Sequence, residues 1–121
     1  MGLISTAQQF QWTGASGNND FFNELNWKHT TTSEIPLENS INPGQIIEFE
    51  LFITCEVIAD DEINLGENGK INVINGQLDG HSVTGLGQVI LRDSSYFNLN
   101  GSYPIGGGVS VIFESNTSWV R

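Results

Sequence analysis

The densest run of ionisable side chains is Asp60-Asp61-Glu62, three carboxylates in a row. Carboxylates in pairs do two kinds of work. They flank a glycosidic bond as acid and nucleophile or base, or they surround a hard cation such as Ca²⁺ with oxygens. The first role needs two groups facing each other across a substrate. Successive strand residues point to opposite faces, so neighbours in sequence make a poor catalytic pair. A solvated turn is the simpler account, and surface Ca²⁺ binding by Asp60, Asp61 and Glu62 is the functional alternative. No other cofactor is expected. Asn18-Asn19-Asp20 and Asp93-Ser94-Ser95 are turn formers. Neither carries the spaced oxygen ligands of an EF-hand loop or the Gly-Gly-x-Gly-x-Asp nonapeptide of calcium-binding β-rolls.

The remaining reactive residues are isolated. His29 and His81 have no metal-binding spacing and no nucleophile nearby, which makes them ordinary loop residues. Cys55, the one cysteine, follows the apolar run Leu51-Phe52-Ile53-Thr54 and is expected to be a buried, inert thiol. No Gly-x-Ser-x-Gly elbow or phosphate loop occurs, and Gly106-Gly107-Gly108 reads as a tight return rather than the start of a helix. Asn100-Gly101-Ser102 and Asn116-Thr117-Ser118 match the permissive glycosylation sequon and are discounted. Trp12, Trp27 and Trp119 offer the one ligand chemistry left, stacking against sugar rings. Against that stands the high average burial of tryptophan.

The elements that position these residues repeat. Gly69-Lys70-Ile71-Asn72-Val73 is echoed by Gly87-Gln88-Val89-Ile90-Leu91 and by Gly107-Gly108-Val109-Ser110-Val111. Strands of period-two side chains returning about every twenty residues describe the rungs of a β-solenoid. In this register Ile71, Val89 and Val109 share one core column. A polar corner follows each strand (Asn75-Gly76, Asp93-Ser94-Ser95, Ser115-Asn116-Thr117), and then a second apolar run. Asn72, Asn75, Asn98, Asn100 and Asn116 recur beside these strands and are expected to stack as hydrogen-bonded ladders. Upstream, Gln45 to Cys55 is the longest apolar stretch, and Ile63-Asn64-Leu65 reads as a further short strand. The 25 residues from Gly44 to Gly69 imply an insertion in the first rung, placed at Asp60-Asp61-Glu62.

Composition limits the partners. Fourteen acidic residues against four Lys and Arg give a net charge of −10. Nucleic acid and anionic membrane surfaces both call for a basic face, so neither is an expected partner. No apolar run is long enough to insert in a membrane as a helix. Met1-Gly2-Leu3-Ile4-Ser5-Thr6 has neither the basic start nor the apolar core of a signal peptide. It fits the loose myristoylation pattern, though a start left after removal of a leader is the preferred account.

Near the N-terminus the order is Trp12-Thr13-Gly14, a Gly/Asn loop, Asp20-Phe21-Phe22, Asn26-Trp27, Ile35-Pro36 and Pro43-Gly44-Gln45-Ile46-Ile47. This resembles the opening of β-helical surface proteins and adhesins secreted by bacteria. It departs from them where Phe21-Phe22 replaces the usual Trp and Gln45 the usual Asp. The resemblance implies an extracellular or cell-surface location and transfers no catalytic residue.

The expectation is therefore a single all-β domain over residues 1–121, a small right-handed parallel β-helix of about four rungs. Residues 1–42 form an aromatic-rich N-terminal cap containing Trp12, Phe21, Phe22 and Trp27, and residues 43–121 form the rungs. The alternative fold is a β-sandwich of the carbohydrate-binding kind. The expected function is a non-enzymatic structural or adhesive module, self-associating through its ends into filaments. Trp119 and Val120 lie at the assembly end, where the sequence leaves nothing to build a cap. The alternative function is glycan binding on exposed Trp platforms.

Overall fold

The computed structural model describes residues 8–37, 40–101, 105–114 and 119–120. The strands are β1 (Gln9–Trp12), β2 (Trp27–His29), β3 (Ile46–Ile47), β4 (Glu50–Ile53), β5 (Glu56–Leu65), β6 (Lys70–Ile74), β7 (Gln77–Gly85), β8 (Gln88–Arg92), β9 (Tyr96–Leu99), β10 (Ser110–Phe113) and β11 (Trp119–Val120). The only helical element among the described residues is a 3-10 turn at Glu24–Asn26. One sheet, A, runs β10-β8-β6-β4-β1-β2, and the other, B, runs β11-β9-β7-β5-β3. Every ladder is parallel except β1 with β2. The chain alternates between the sheets and climbs as a β-solenoid of about three turns. Strands β10 and β11 are the short last strands of sheets A and B; the stack makes about three turns where the sequence led to an expectation of about four rungs.

Period-two alternation explains the core. Phe10, Leu51, Ile71, Val89 and Val111 stack as one inward column of sheet A, and Ile53, Val73, Leu91 and Phe113 as another. From sheet B, Val57, Leu78 and Phe97 meet them, with Ile63 and Val83 further along the strands. Each such side chain, removed from water, contributes about 1.5–3 kcal/mol before the entropy of ordering it is subtracted.

Register corrects one column. Val89 lies beside Val111, not Val109, so the third sequence copy is displaced by two residues. Ladder offsets along sheet A are 20 (Glu50 to Lys70), 18 (Lys70 to Gln88) and 22 (Gln88 to Ser110). The offset is already 22 at Ile105, which bridges Val83, so the additional residues precede Gly106–Gly108. Val109 packs at the margin of the core.

The upstream half is corrected similarly. The run Gln45 to Cys55 is not one strand: Ile46–Ile47 joins sheet B and Glu50–Ile53 joins sheet A. Gly44 is therefore not the counterpart of Gly69, and the 25-residue spacing needs no large insertion. One additional residue does occur at Asp60-Asp61, where the β5–β7 register shifts between Ala59 and Glu62. Ile63-Asn64-Leu65 continues β5 beyond this bulge rather than forming a separate strand. Cys55 is exposed, because the alternation that would bury it ends at the corner between β4 and β5.

Returns and corners obey the close spacing of the stack. A Cβ on Gly69 would lie 2.3 Å from the Ile47 carbonyl oxygen, and one on Gly87 would lie 2.4 Å from that of Gly69. Side-chain-free residues let successive rungs approach there, which accounts for glycine at the head of the first two sequence copies. At the corners Asn75 and Asp93 adopt left-handed φ values of 50° and 57°. Ser95 is fully buried between them, its hydroxyl donating to Val73 O at 2.6 Å and accepting from Asn75 N–H at 3.1 Å. No Asn ladder forms among the described residues. Asn72 sits beside Ile90 and Asn98 beside Asp79, each in a different column, and Asn116 lies outside the described residues.

Candidate functional site

Two surfaces stand out: the outer face of sheet B and the last edge of the stack. On sheet B, outward residues from successive rungs fall into line. Ile58 of β5 lies beside Asp79 of β7, which lies beside Asn98 of β9. Together with Asp60, His81 and Asn100 they line a shallow cleft of about 260 Å³. A second hollow of about 280 Å³, bounded by Asn18, Asn19 and Asp20, shares Ile58 and Asp60 with it. The two hollows adjoin at these residues and are treated together as the sheet B groove.

Local structure shapes this groove. Gly80, between the inward-facing Ala59 and Leu99, belongs to the core side of the sheet, where a Cβ would meet Leu99 Cδ2 at 3.1 Å. The Asp60–Asp61 bulge faces His81, and bulges of this kind re-aim side chains. The Asp79 carboxylate is held by amides: Gln77 Nε2 donates to both oxygens at 2.9 and 2.8 Å, and Asn98 Nδ2 donates at 3.0 Å. An anchored carboxylate beside exposed amides and the aliphatic Ile58 can hydrogen-bond hydroxyl groups. Sequence reasoning passed over Asp79 and read Asn98 only as a ladder residue, because their alignment emerges only when the rung offset is applied to polar positions.

The three carboxylates singled out in the sequence do not converge. Asp61 accepts from the adjoining Glu62 N–H at 2.7 Å, and Glu62 Oε2 accepts from the Ser82 hydroxyl at 3.5 Å, while Asp60 turns into the groove. Among the described residues no group of three or more His, Cys, Asp or Glu side chains could hold a metal ion. The alternating strand faces and the bulge send the carboxylates to different partners. His29 belongs to β2 and His81 to β7, at separate places in the stack.

The N-terminal aromatics occupy the first end of the solenoid. Trp12, Phe21, Phe22 and Trp27 are all buried, Trp27 completely. Trp27 meets Trp12 edge-on at 5.2 Å and Phe21 at 5.4 Å, and its indole N–H donates to Phe21 O at 2.9 Å. Residues 19–21 pair with β5 through Ile58 N–H to Asn19 O and Phe21 N–H to Ile58 O. The loop between is held by Asn26, a buried amide with every group engaged. Its oxygen accepts from the Ser16 N–H and hydroxyl, and its nitrogen donates to Asn18 Oδ1 and Asp20 O. Trp12 borders a hollow of about 410 Å³ on sheet A. Neither Trp12 nor Trp27 presents an open ring face, so the sugar platforms anticipated on them are absent: both indoles serve the core.

At the opposite end, β10 and β11 are the last strands of sheets A and B. Strand β11 pairs with β9 through Trp119 and Val120, completing the second strand of the final rung. Phe113, in register with the buried Leu91, is 52% exposed, because no described strand covers the column above it. Among the described residues no helix is long and apolar enough to cross a membrane. Comparison with protein-family models, curated proteins and solved structures finds no match to this chain.

Proposed function

We propose that this chain is a non-enzymatic structural or adhesive module of the extracellular or cell-surface kind, associating with itself through the β10 end of its solenoid. The observation that carries this reading is the half-exposed Phe113 at the head of a column whose lower members are fully buried. An apolar cross-section bordered by a terminal strand is a surface that native proteins normally cover. The acidic, lysine-poor composition and the Trp12-Thr13-Gly14 to Gln45 pattern favour the surface-protein setting. A charge of −10 opposes contact between copies at low salt, so association should strengthen as salt screens it. Light scattering across protein and salt concentration, with electron microscopy, tests the reading. A strict monomer under every condition would overturn it.

The groove on sheet B favours a second reading, binding of a neutral glycan. Here Asp60, Asp79 and Asn98 supply hydrogen bonds in place of the tryptophans. Binding on a glycan array that disappears in Asp79→Ala, with unchanged melting, would support it.

A further inference from the structure

The charges of this chain are divided between its two sheets. The strands of sheet A carry Lys28, Lys70 and Arg92, three of the four basic residues in the sequence, against one carboxylate, Glu50. The strands of sheet B carry Glu56, Asp60, Asp61, Glu62 and Asp79 and no Lys or Arg.

Register places the cations on the outer face of sheet A. Lys28 lies beside Gln11 and next to the buried Trp27, so it points the opposite way from the core. Lys70 precedes the buried Ile71, and Arg92 follows the buried Leu91. Arg92 pairs with Glu114, the one salt bridge among the described residues, which leaves Lys28 and Lys70 without a carboxylate partner. Between the cations this face is apolar. Phe52, Ile74 and Ile112 are half-buried on it, and Phe52 and Ile74 border the hollow of about 410 Å³. On sheet B the carboxylates Glu56, Asp60 and Glu62 are exposed, and Ile58 stands among them, 43% exposed.

We propose that the outer face of sheet A docks on the outer face of sheet B of a second copy of this chain, side by side. Lys28 and Lys70 then lie among Glu56, Asp60 and Glu62, around an apolar centre of Phe52, Ile74 and Ile58. Charge selects the occupant, because an uncompensated cationic face calls for an acidic surface and sheet B is one of matching form. Both sheets belong to one stack, so their rungs repeat at the same spacing, about 4.8 Å. Two faces laid together with stack axes parallel therefore stay in step along the contact. Complementary potentials of this kind fix partner and register. Six strands about 4.8 Å apart and about 15 Å long offer about 400 Å² per copy, a weak contact that forms at high protein concentration. The contact is heterologous: each copy keeps one unused face of each kind, so docking repeats into rows. It does not involve the β10 end and is independent of the association proposed there.

Charge reversal on each face tests this. The first variant, Lys28→Glu with Lys70→Glu, makes sheet A acidic like sheet B. The second, Glu56→Lys with Asp60→Lys and Glu62→Lys, gives sheet B an excess of positive charge like sheet A. The dissociation constant for self-association should rise at least about tenfold in each, read by sedimentation velocity. An equal mixture of the two sets an acidic face against a basic one at every contact, and should recover the assembly of the wild-type chain. All five positions are exposed or half-buried; should a reversal fail to fold, Lys28→Gln with Lys70→Gln should still weaken assembly. Loss in each variant with recovery in the mixture supports the proposal. Variants that associate like wild type overturn it and leave the β10 contact standing. Loss without recovery in the mixture also overturns it. A wild-type chain that stays monomeric at every protein and salt concentration overturns both contacts. If that monomer bound an anionic polymer such as heparin, the sheet A face would belong to a different partner.

Discussion

Gly87→Ala isolates the close approach of the rungs. Gly87 lies outside the left-handed region, so alanine meets no backbone penalty there, and the cost is set by space. The added methyl would lie 2.4 Å from Gly69 O and 2.7 Å from the Leu65 Cβ, where ordinary contact begins near 3.4 Å. Relief requires the return to move outward by about 1 Å, against rigid main chain rather than a flexible side chain. That displacement breaks or stretches two hydrogen bonds, Gln88 N–H to Gly69 O at 3.0 Å and Leu86 N–H to Leu65 O at 2.9 Å. At about 1 kcal/mol each they account for about 2 kcal/mol, and overpacking adds about 1–3 kcal/mol. The stiffer unfolded chain returns about 0.5–1 kcal/mol. The expected net loss is about 2–4.5 kcal/mol, read as a lowered urea midpoint at constant slope. Gly66→Ala is the control. Its methyl would collide only with the Glu48 side chain, which can swing away, so the loss should stay below about 1 kcal/mol. Equal stability of Gly87→Ala and the wild-type protein would refute the argument that carbonyl contact sets the rung spacing.

Trp27→Ala should destabilise the fold by about 3–5 kcal/mol in the same assay, since it empties a fully buried site against Trp12 and Phe21. Val89→Asp, in the middle of a column between Ile71 and Val111, should cost more than about 4 kcal/mol by burying an unpartnered charge. Retention of a cooperative melt near the wild-type midpoint would contradict the column. Cys55 should react with maleimide in the native protein as fast as in the urea-unfolded chain, within about tenfold; complete protection would contradict its exposed corner position.

The architecture was legible where two constraints coincided. Ile71–Val89 and Val73–Leu91 were placed correctly because alternation and the carbonyl contact at Gly69 and Gly87 both mark the same register. In the third copy only alternation was informative. A slip of two residues leaves every side chain on its face, and Gly106-Gly107-Gly108 supplies several glycines to align. Cys55 was misplaced because alternation was extended through a corner. The split of Ile46–Ile47 from Glu50–Ile53 was hidden because both pieces are apolar and only the tertiary fold assigns them to different sheets. The sheet B groove was the least visible, since Asp79 and Asn98, 19 residues apart, align only once the strands are paired.

The antiparallel pair β1–β2, the one such pair among the described residues, bears on the order of assembly. Ladders within the stack join residues 18 to 22 apart on sheet A, whereas β1 reaches 41 residues along the chain, from Gln9 to Glu50. Doubling the span adds about 0.6 kcal/mol of loop-closure entropy. The edge that receives β1 belongs to β4, which is itself held on its other side by β6. During synthesis the aromatic segment leaves the ribosome before the rung it will cover. It must wait, with Trp12, Phe21, Phe22 and Trp27 in water, for a surface not yet made. Its exposure in that interval, rather than in the finished fold, is when this chain is most open to misassociation. Pulse-labelling hydrogen exchange during refolding should find the amides of β6 and β8 protected before those of β1 and β2.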